Sequence, residues 1–258
     1  MESSSSAERA SRLRAAWRQV EKIARHPGKF LAYPWSKLRY RARWEAFAHR
    51  EPELARVIRE VRQRRLTYLA PENLQDLAEA VREVERAGIG GALVEAGTAL
   101  GGSAITLASA KRKERALMVF DAFGLIPPPS DKDGADVHDR YRTIVSGASK
   151  GIGDDRYYGY REDLLGEVTG SFRSFGLEPS EHNIAFVKGF YQDTLRLEQP
   201  VALAHLDCDW YESLRTCLER IEPHLAPGGR FVIDDYYNWS GCTTAVDEFF
   251  ATRRDRYG

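Results

Sequence analysis

The sequence predicts an α/β fold: a doubly wound, mostly parallel sheet preceded by an α-helical N-terminal extension. Three observations carry this expectation. From Gly90 onward, short apolar runs alternate with helical stretches, the pattern of successive βαβ units. The first run ends in a glycine-rich turn, GTALGGS (residues 97–103), where a strand hands over to a helix. Two later runs, VALAHLDCD (201–209) and FVIDDY (231–236), end in closely spaced carboxylates, so a parallel sheet would gather acids at one edge. A length of 258 residues suits one such domain with an appendage.

The elements follow in order. Residues 1–60 are expected to form a basic helical extension, and residues 61–258 the main domain. Within residues 1–50, twelve Lys/Arg stand against four Asp/Glu, with Trp17, Phe30, Tyr33, Trp35, Tyr40 and Trp44 interspersed. A solvated extension that packs on the body or on another subunit of a homo-oligomer accounts for this composition. Peripheral membrane contact of residues 1–50 is the sharper alternative. In EPELARVIREVRQ (51–63), Leu54, Val57, Ile58 and Val61 recur at helical spacing, and Pro71 opens a second helix over 71–84. Strands are expected at 92–96, 116–121, 184–188, 201–206 and 230–234, the last announced by Pro227-Gly228-Gly229. Helices are expected near 102–112, 161–176, 211–224 and 243–254. Residues 125–160 interrupt the alternation. Rich in Pro, Gly, Ser and Tyr, they read as a lid or binding loop, mobile until ligands bind.

Composition excludes several classes. Acidic and basic residues balance at 38 each, giving no overall pull toward nucleic acid. Cys208, Cys217 and Cys242 form no CxxC pair, which argues against a disulfide framework or zinc site and suits a reducing cytoplasm. No apolar run approaches the 18 or so residues of a bilayer span, and the N-terminus lacks a secretory apolar segment. A cytoplasmic location is therefore expected.

The glycine turn suits a ligand that approaches the backbone closely at a helix N-terminus. GTALGGS is not the GxGxxG of dinucleotide folds, and an acid at the end of the first strand, Glu95, would repel a pyrophosphate. It suits a ligand with ammonium and sulfonium groups, S-adenosylmethionine. Asp121, ending the second strand, is placed to accept hydrogen bonds from ribose hydroxyls.

The acidic edge calls for a cation. Two unit charges about 4 Å apart repel by roughly 4 kcal/mol at an effective dielectric near 20. Asp207, Asp234 and Asp235 are the natural ligand set for Mg²⁺, which prefers a few carboxylates plus water and substrate oxygens. Such a metal lowers a hydroxyl's pKa. Asp209, two residues past Asp207, falls on the same face by strand alternation and could act as general base. The plain alternative makes Asp209 the N-cap of helix WYESLRTCLERI, which explains one acid but not four.

Taken in order, LVEAGTALGGS, VFDAFGLIP, FVKGFYQDTL, HLDCDWYESL and GGRFVIDDYYNWSGCTTAVDEF resemble the macrocin O-methyltransferase family over residues 60–255. The resemblance implies a class I methyltransferase (Rossmann-like) fold that uses S-adenosylmethionine and Mg²⁺ to methylate sugar hydroxyls of glycosides. It implies Asp207, Asp234 and Asp235 as metal ligands and Asp209 as catalytic base. The implied cofactor contacts are Glu95, Gly97, Gly101, Ser103, Asp121, Phe123, Asp193 and Asp207. Ala122 departs from the family's Ser, and the insertion GASKGIGDDRYYGY departs from its antibiotic-sugar members.

Two other functions fit some of these residues. Vicinal hydroxyls of a catechol or other diol would chelate the same metal, and a degenerate, non-catalytic protein could keep the cofactor fold. Four intact acids speak against degeneracy. Finally, the resemblance implies two more strands after the last helix, and the sequence holds no β-rich segment for them, so an incomplete C-terminus is expected.

Overall fold

The computed structural model describes residues 40–253. The chain divides between Arg50 and Glu51 into two units. In the first, the described part is a helix over 40–50, where Tyr40, Trp44 and Phe47 follow one another at helical spacing, with ring centroids 6.4 and 5.8 Å apart. The expectations for residues 1–39 lie outside the described residues.

The second unit opens with α1 (Pro52–Gln63) and α2 (Pro71–Arg86), each with proline in its first turn. Each buries one stripe: Leu54, Val57, Ile58 and Val61 on α1, and Leu74, Leu77, Ala78, Val81 and Val84 on α2. There follow β1 (Ala92–Ala96), α3 (Gly102–Ala110), β2 (Leu117–Asp121), α4 (Ala135–Val145), α5 (Leu164–Ser174) and β3 (Ile184–Lys188). The series ends with α6 (Tyr191–Thr194), β4 (Val201–Leu206), α7 (Tyr211–Ile221), β5 (Leu225–Ile233) and α8 (Ser240–Ala251).

The five strands pair in the order β3-β2-β1-β4-β5, all parallel. β1 and β4 are buried along their whole length, as inner strands of a covered parallel sheet must be. Side chains alternate between faces. Val94, Ala96, Phe120, Ala204 and Leu206 pack with Leu214, Leu218, Ala245 and Phe249 of α7 and α8. Glu95 and His205, paired across β1 and β4, point to the other layer, where Ser103 of α3 meets Glu95. The winding reverses at β1, flanked by β2 and β4, and a doubly wound sheet binds its ligand at the carboxyl ends beside that switch.

Two expectations are corrected. β5 begins at Leu225, five residues early, because Leu225 pairs with Val201 ahead of the glycines; a register shift then absorbs Pro227-Gly228-Gly229, with Gly228 at φ +79°. The insertion is not all loop, since it contains α4. That helix has only Val137 and Ile144 buried, too thin a stripe to stand out in sequence. The expectation about strands after α8 concerns residues past those described.

Candidate active site

The turn after β1 is shaped by close backbone approach. Gly97 has φ +90°, and a Cβ there would collide with the Asp207 carbonyl, so glycine lets the ends of β1 and β4 meet. Ala99 (φ +46°) and Phe123 (φ +44°) hold left-handed conformations that non-glycine residues adopt only under constraint. Asp121 supplies the constraint. Its Oδ2 accepts from the Thr98 and Ala99 amides at 2.8 and 3.1 Å, and its Oδ1 from the Phe123 amide at 2.6 Å. Burial raises the Asp121 pKa while these amides favour its charge. One carboxylate thus fixes two turns, leaving 7% of the residue exposed. The Phe123 ring meets Phe186 edge-on, centroids 6.2 Å apart.

Glu95, expected at the cofactor, lies beneath the turn. It has no exposed surface, and its oxygens accept from Ser103 Oγ and, at 2.7 Å, pair with His205 Nδ1. In this structure Glu95 and Ser103 bond to each other beneath the turn, both buried. Burial disfavours charge on His205, but the Glu95 carboxylate beside it and the Asp234 and Asp235 charges together outweigh this, and the His205 pKa rises. Sequence reasoning passed over His205; its one signal was a lone polar residue in an otherwise apolar central strand. Gly101, at φ +93°, caps α3, and a Cβ there would press on Val168 of α5. Asp193 stands apart, exposed on α6. Its neighbour Tyr191 is the residue of that segment at the turn, its hydroxyl 3.4 Å from where a Gly97 side chain would begin.

The sheet hydrogen bonds deliver the acids. Asp207 N donates to Ala96 O at 2.9 Å, and Asp234 N to Leu206 O at 3.1 Å, so the two adjacent strand ends stay level. Asp207, Asp234 and Asp235 each present an oxygen, all within 4.8 Å of one another. Asp235 Oδ1 accepts from Asn238 Nδ2 at 3.2 Å, while Asp235 Oδ2 is buried with no partner. A buried, unpartnered carboxylate oxygen is costly unless a cation meets it. An all-oxygen donor set fits a hard divalent ion such as Mg²⁺.

Asp209 joins the cluster for a different reason from strand alternation. β4 ends at Leu206, and Asp209 sits in a left-handed turn at φ +59°. Burial and then the Asp235 charge push the Asp209 pKa well up, against a Trp239 hydrogen bond and the Arg140 charge. Burial and the Asp235 and Asp209 charges do the same to Asp207. Asp209 is not a helix cap: the N-cap of α7 is Trp210, without a side-chain cap bond, and Tyr211 N donates to Asp133 Oδ1 at 2.9 Å.

Asp133 belongs to the insertion, and sequence reasoning passed over it. The same segment is fastened elsewhere. Trp210 Nε1 donates to Pro127 O at 2.9 Å, and Ser240 N to Asp136 Oδ2 at 3.0 Å. Val137, Ile144 and Tyr157 bury against Trp210. The Arg140 guanidinium lies over Tyr157 at 5.4 Å, and Tyr158 meets Tyr68 at 6.0 Å. The insertion thus anchors both helix starts that follow the acid pairs and sets aromatics beside Asp209.

A family model described as macrocin-O-methyltransferase (TylF) matches residues 47–255. The 8-demethyl-8-(2,3-dimethoxy-alpha-L-rhamnosyl)-tetracenomycin-C 4'-O-methyltransferase of Streptomyces olivaceus is 31% identical over 198 residues, covering 74% of this chain and 69% of that protein. The mycinamicin III 3''-O-methyltransferase of Micromonospora griseorubida is 27% identical over 201 residues, covering 74% and 71%. The solved structure of the O-methyltransferase NovP is 26% identical, with a TM-score of 0.60 over 74% of this chain and 75% of that one.

Proposed function

This chain belongs to the macrocin-O-methyltransferase family and is an S-adenosylmethionine-dependent O-methyltransferase, and we propose that it acts on sugar hydroxyls and that its residues act as follows. Asp207, Asp234 and Asp235 would hold Mg²⁺, and Asp209 would take the hydroxyl proton. The observation that carries this reading is the partnerless buried Oδ2 of Asp235 among three convergent carboxylates. When bound, Mg²⁺ supplies Lewis acidity that lowers the pKa of an acceptor hydroxyl.

The remaining work falls to the chain itself. The turn at 97–103, shaped by Asp121 from one side and by Glu95 and Ser103 from beneath, would receive the cofactor, with Phe123 and Tyr191 flanking it. Methyl transfer needs acceptor oxygen, methyl carbon and sulfur in line, so positioning dominates. Tyr157 and Tyr158, whose rings lie near the Asp209 charge, would flank the acceptor. Asp209 would accept the proton as the oxygen–carbon bond forms and the carbon–sulfur bond breaks. Among the described residues no helix is long and apolar enough to cross a membrane. A cytoplasmic location belongs to the same proposal, in keeping with three buried free cysteines.

The test is incubation with S-adenosylmethionine, Mg²⁺ and a panel of glycosides, read by mass spectrometry. Gain of one methyl on a sugar, lost on chelation, is expected. Full turnover in excess EDTA would remove the metal from the proposal.

A further inference from the structure

Two of the three carboxylates proposed to hold the metal, Asp234 and Asp235, are each met at one oxygen by a neutral amide. Asn238 reaches Asp235 Oδ1 from three residues away at 3.2 Å. The second amide comes from far off in the chain: Asn73 Nδ2 donates to Asp234 Oδ1 at 2.8 Å. Asn73 lies in the first turn of α2, outside the sheet and outside every motif that marks the site in sequence.

The chemistry of the donor matters. A carboxylate that binds a metal through one oxygen can still rotate about its χ2 bond and swing the ligand oxygen away. A hydrogen bond to the other oxygen removes that freedom. Were the donor lysine or arginine, its charge would neutralise the carboxylate and compete with the cation. An amide orients without neutralising. Partners of ligating carboxylates in this outer position commonly govern metal affinity by about 10–100-fold.

We propose that Asn73 is a positioning residue for the metal centre, holding Asp234 so that its second oxygen faces Asp207 and Asp235, and thereby making α2 part of the site. The proposal rests on Asp207, Asp234 and Asp235 holding a divalent cation. Asn73 is itself exposed, and asparagine favours a helix interior less than alanine does. Asn73→Ala should therefore leave the metal-free fold as stable as before, or slightly more so. A residue with a merely structural role would show the opposite pattern.

The experiment measures Mn²⁺ binding by electron paramagnetic resonance, and S-adenosylmethionine binding and metal-free melting alongside, for the full chain and its Asn73→Ala and Asn73→Gln variants. Asn73→Ala should bind Mn²⁺ about 10–100-fold more weakly, with melting temperature and cofactor affinity unchanged. Asn73→Gln, which keeps the amide donor, should recover part of the loss. Wild-type binding retained by Asn73→Ala would overturn the role of Asn73. Failure of the unaltered chain to bind Mn²⁺ would instead overturn the metal reading beneath it.

Discussion

Asp133 Oδ1 accepts the backbone N–H of Tyr211 at 2.9 Å, so an insertion residue caps the helix that starts two residues after Asp209. The same carboxylate accepts from Ser130 N at 2.8 Å, and a Cβ on Gly241, at the start of α8, would collide with it. Asp133 therefore sits where the insertion, α7 and α8 converge. Removing a helix cap costs about 0.5–2 kcal/mol. Asp133→Ala should lose that much stability in denaturant unfolding and also slow turnover, because the Asp209 turn loses its downstream anchor. Asp133→Asn, which keeps an acceptor oxygen, should lose less of both. Equal loss in the two variants would mean that charge, and not the cap, is what matters there.

The acids that end β4 and β5 serve different partners from the turn after β1. Asp234→Asn and Asp207→Asn should abolish turnover while calorimetry still detects S-adenosylmethionine. The separation is sharper for Asp234, since Asp207 also abuts Gly97 through its carbonyl. Activity near normal in either variant would contradict the proposed ligand set.

Asp209→Asn keeps shape and removes a proton acceptor, so the rate should fall about 10²–10⁴-fold with little change in metal binding. A loss below tenfold would assign proton removal to solvent or another group.

How much of this was legible in sequence divides along physical lines. The inner strands were, because burial on both faces leaves short continuous apolar runs. The acid pairs were, because carboxylates at apolar strand ends are locally anomalous. What escaped acts across the chain: Asn73 on Asp234, Asp133 on Tyr211, His205 on Glu95. No spacing encodes a contact between residues far apart in sequence. Asp209 was found by an argument the backbone does not follow, since β4 stops at Leu206 and a left-handed turn does the placing. α4 escaped because a helix bracketed by Pro, Gly and Ser with two buried residues looks like loop.

Stability should depend on pH with a definite sign in the metal-free protein. Asp121, Asp207, Asp209, Asp234 and His205 all have raised pKa values in the fold. Between their ordinary and folded values the folded chain binds more protons than the unfolded one, so stability falls as pH rises. The window opens near pH 4 for the aspartates and near pH 6.5 for His205, their ordinary values. Glu85 and Asp136, whose pKa values are lowered, act in the opposite sense only below about pH 4.5. Melting temperature should thus fall from pH 5 to pH 8 without metal, and Asp207→Asn should flatten the slope. Added Mg²⁺ should stabilise more at pH 8 than at pH 5, because ligands must lose their protons to bind it. A metal effect larger at the acid end would contradict the assignment.

The insertion should not move as one lid. Its first part is fixed by the Asp133 cap, by Asp136 on Ser240, by Pro127 on Trp210 and by buried Val137 and Ile144. Residues 146–156 are mostly exposed, with glycines at φ +77° and +67° and an isolated bridge between Lys150 and Arg156. Beyond them Tyr157 and Tyr158 return to the wall beside Asp209. Local opening is easiest where buried contacts are few. In hydrogen exchange, residues 135–145 should be protected with or without ligand, while 146–156 should exchange fast alone and slow once cofactor and glycoside are both bound. Fast exchange across 135–145 in the free protein would mean that the anchors hold only in the liganded state. Unchanged exchange over 146–156 would leave the acceptor site open throughout the reaction.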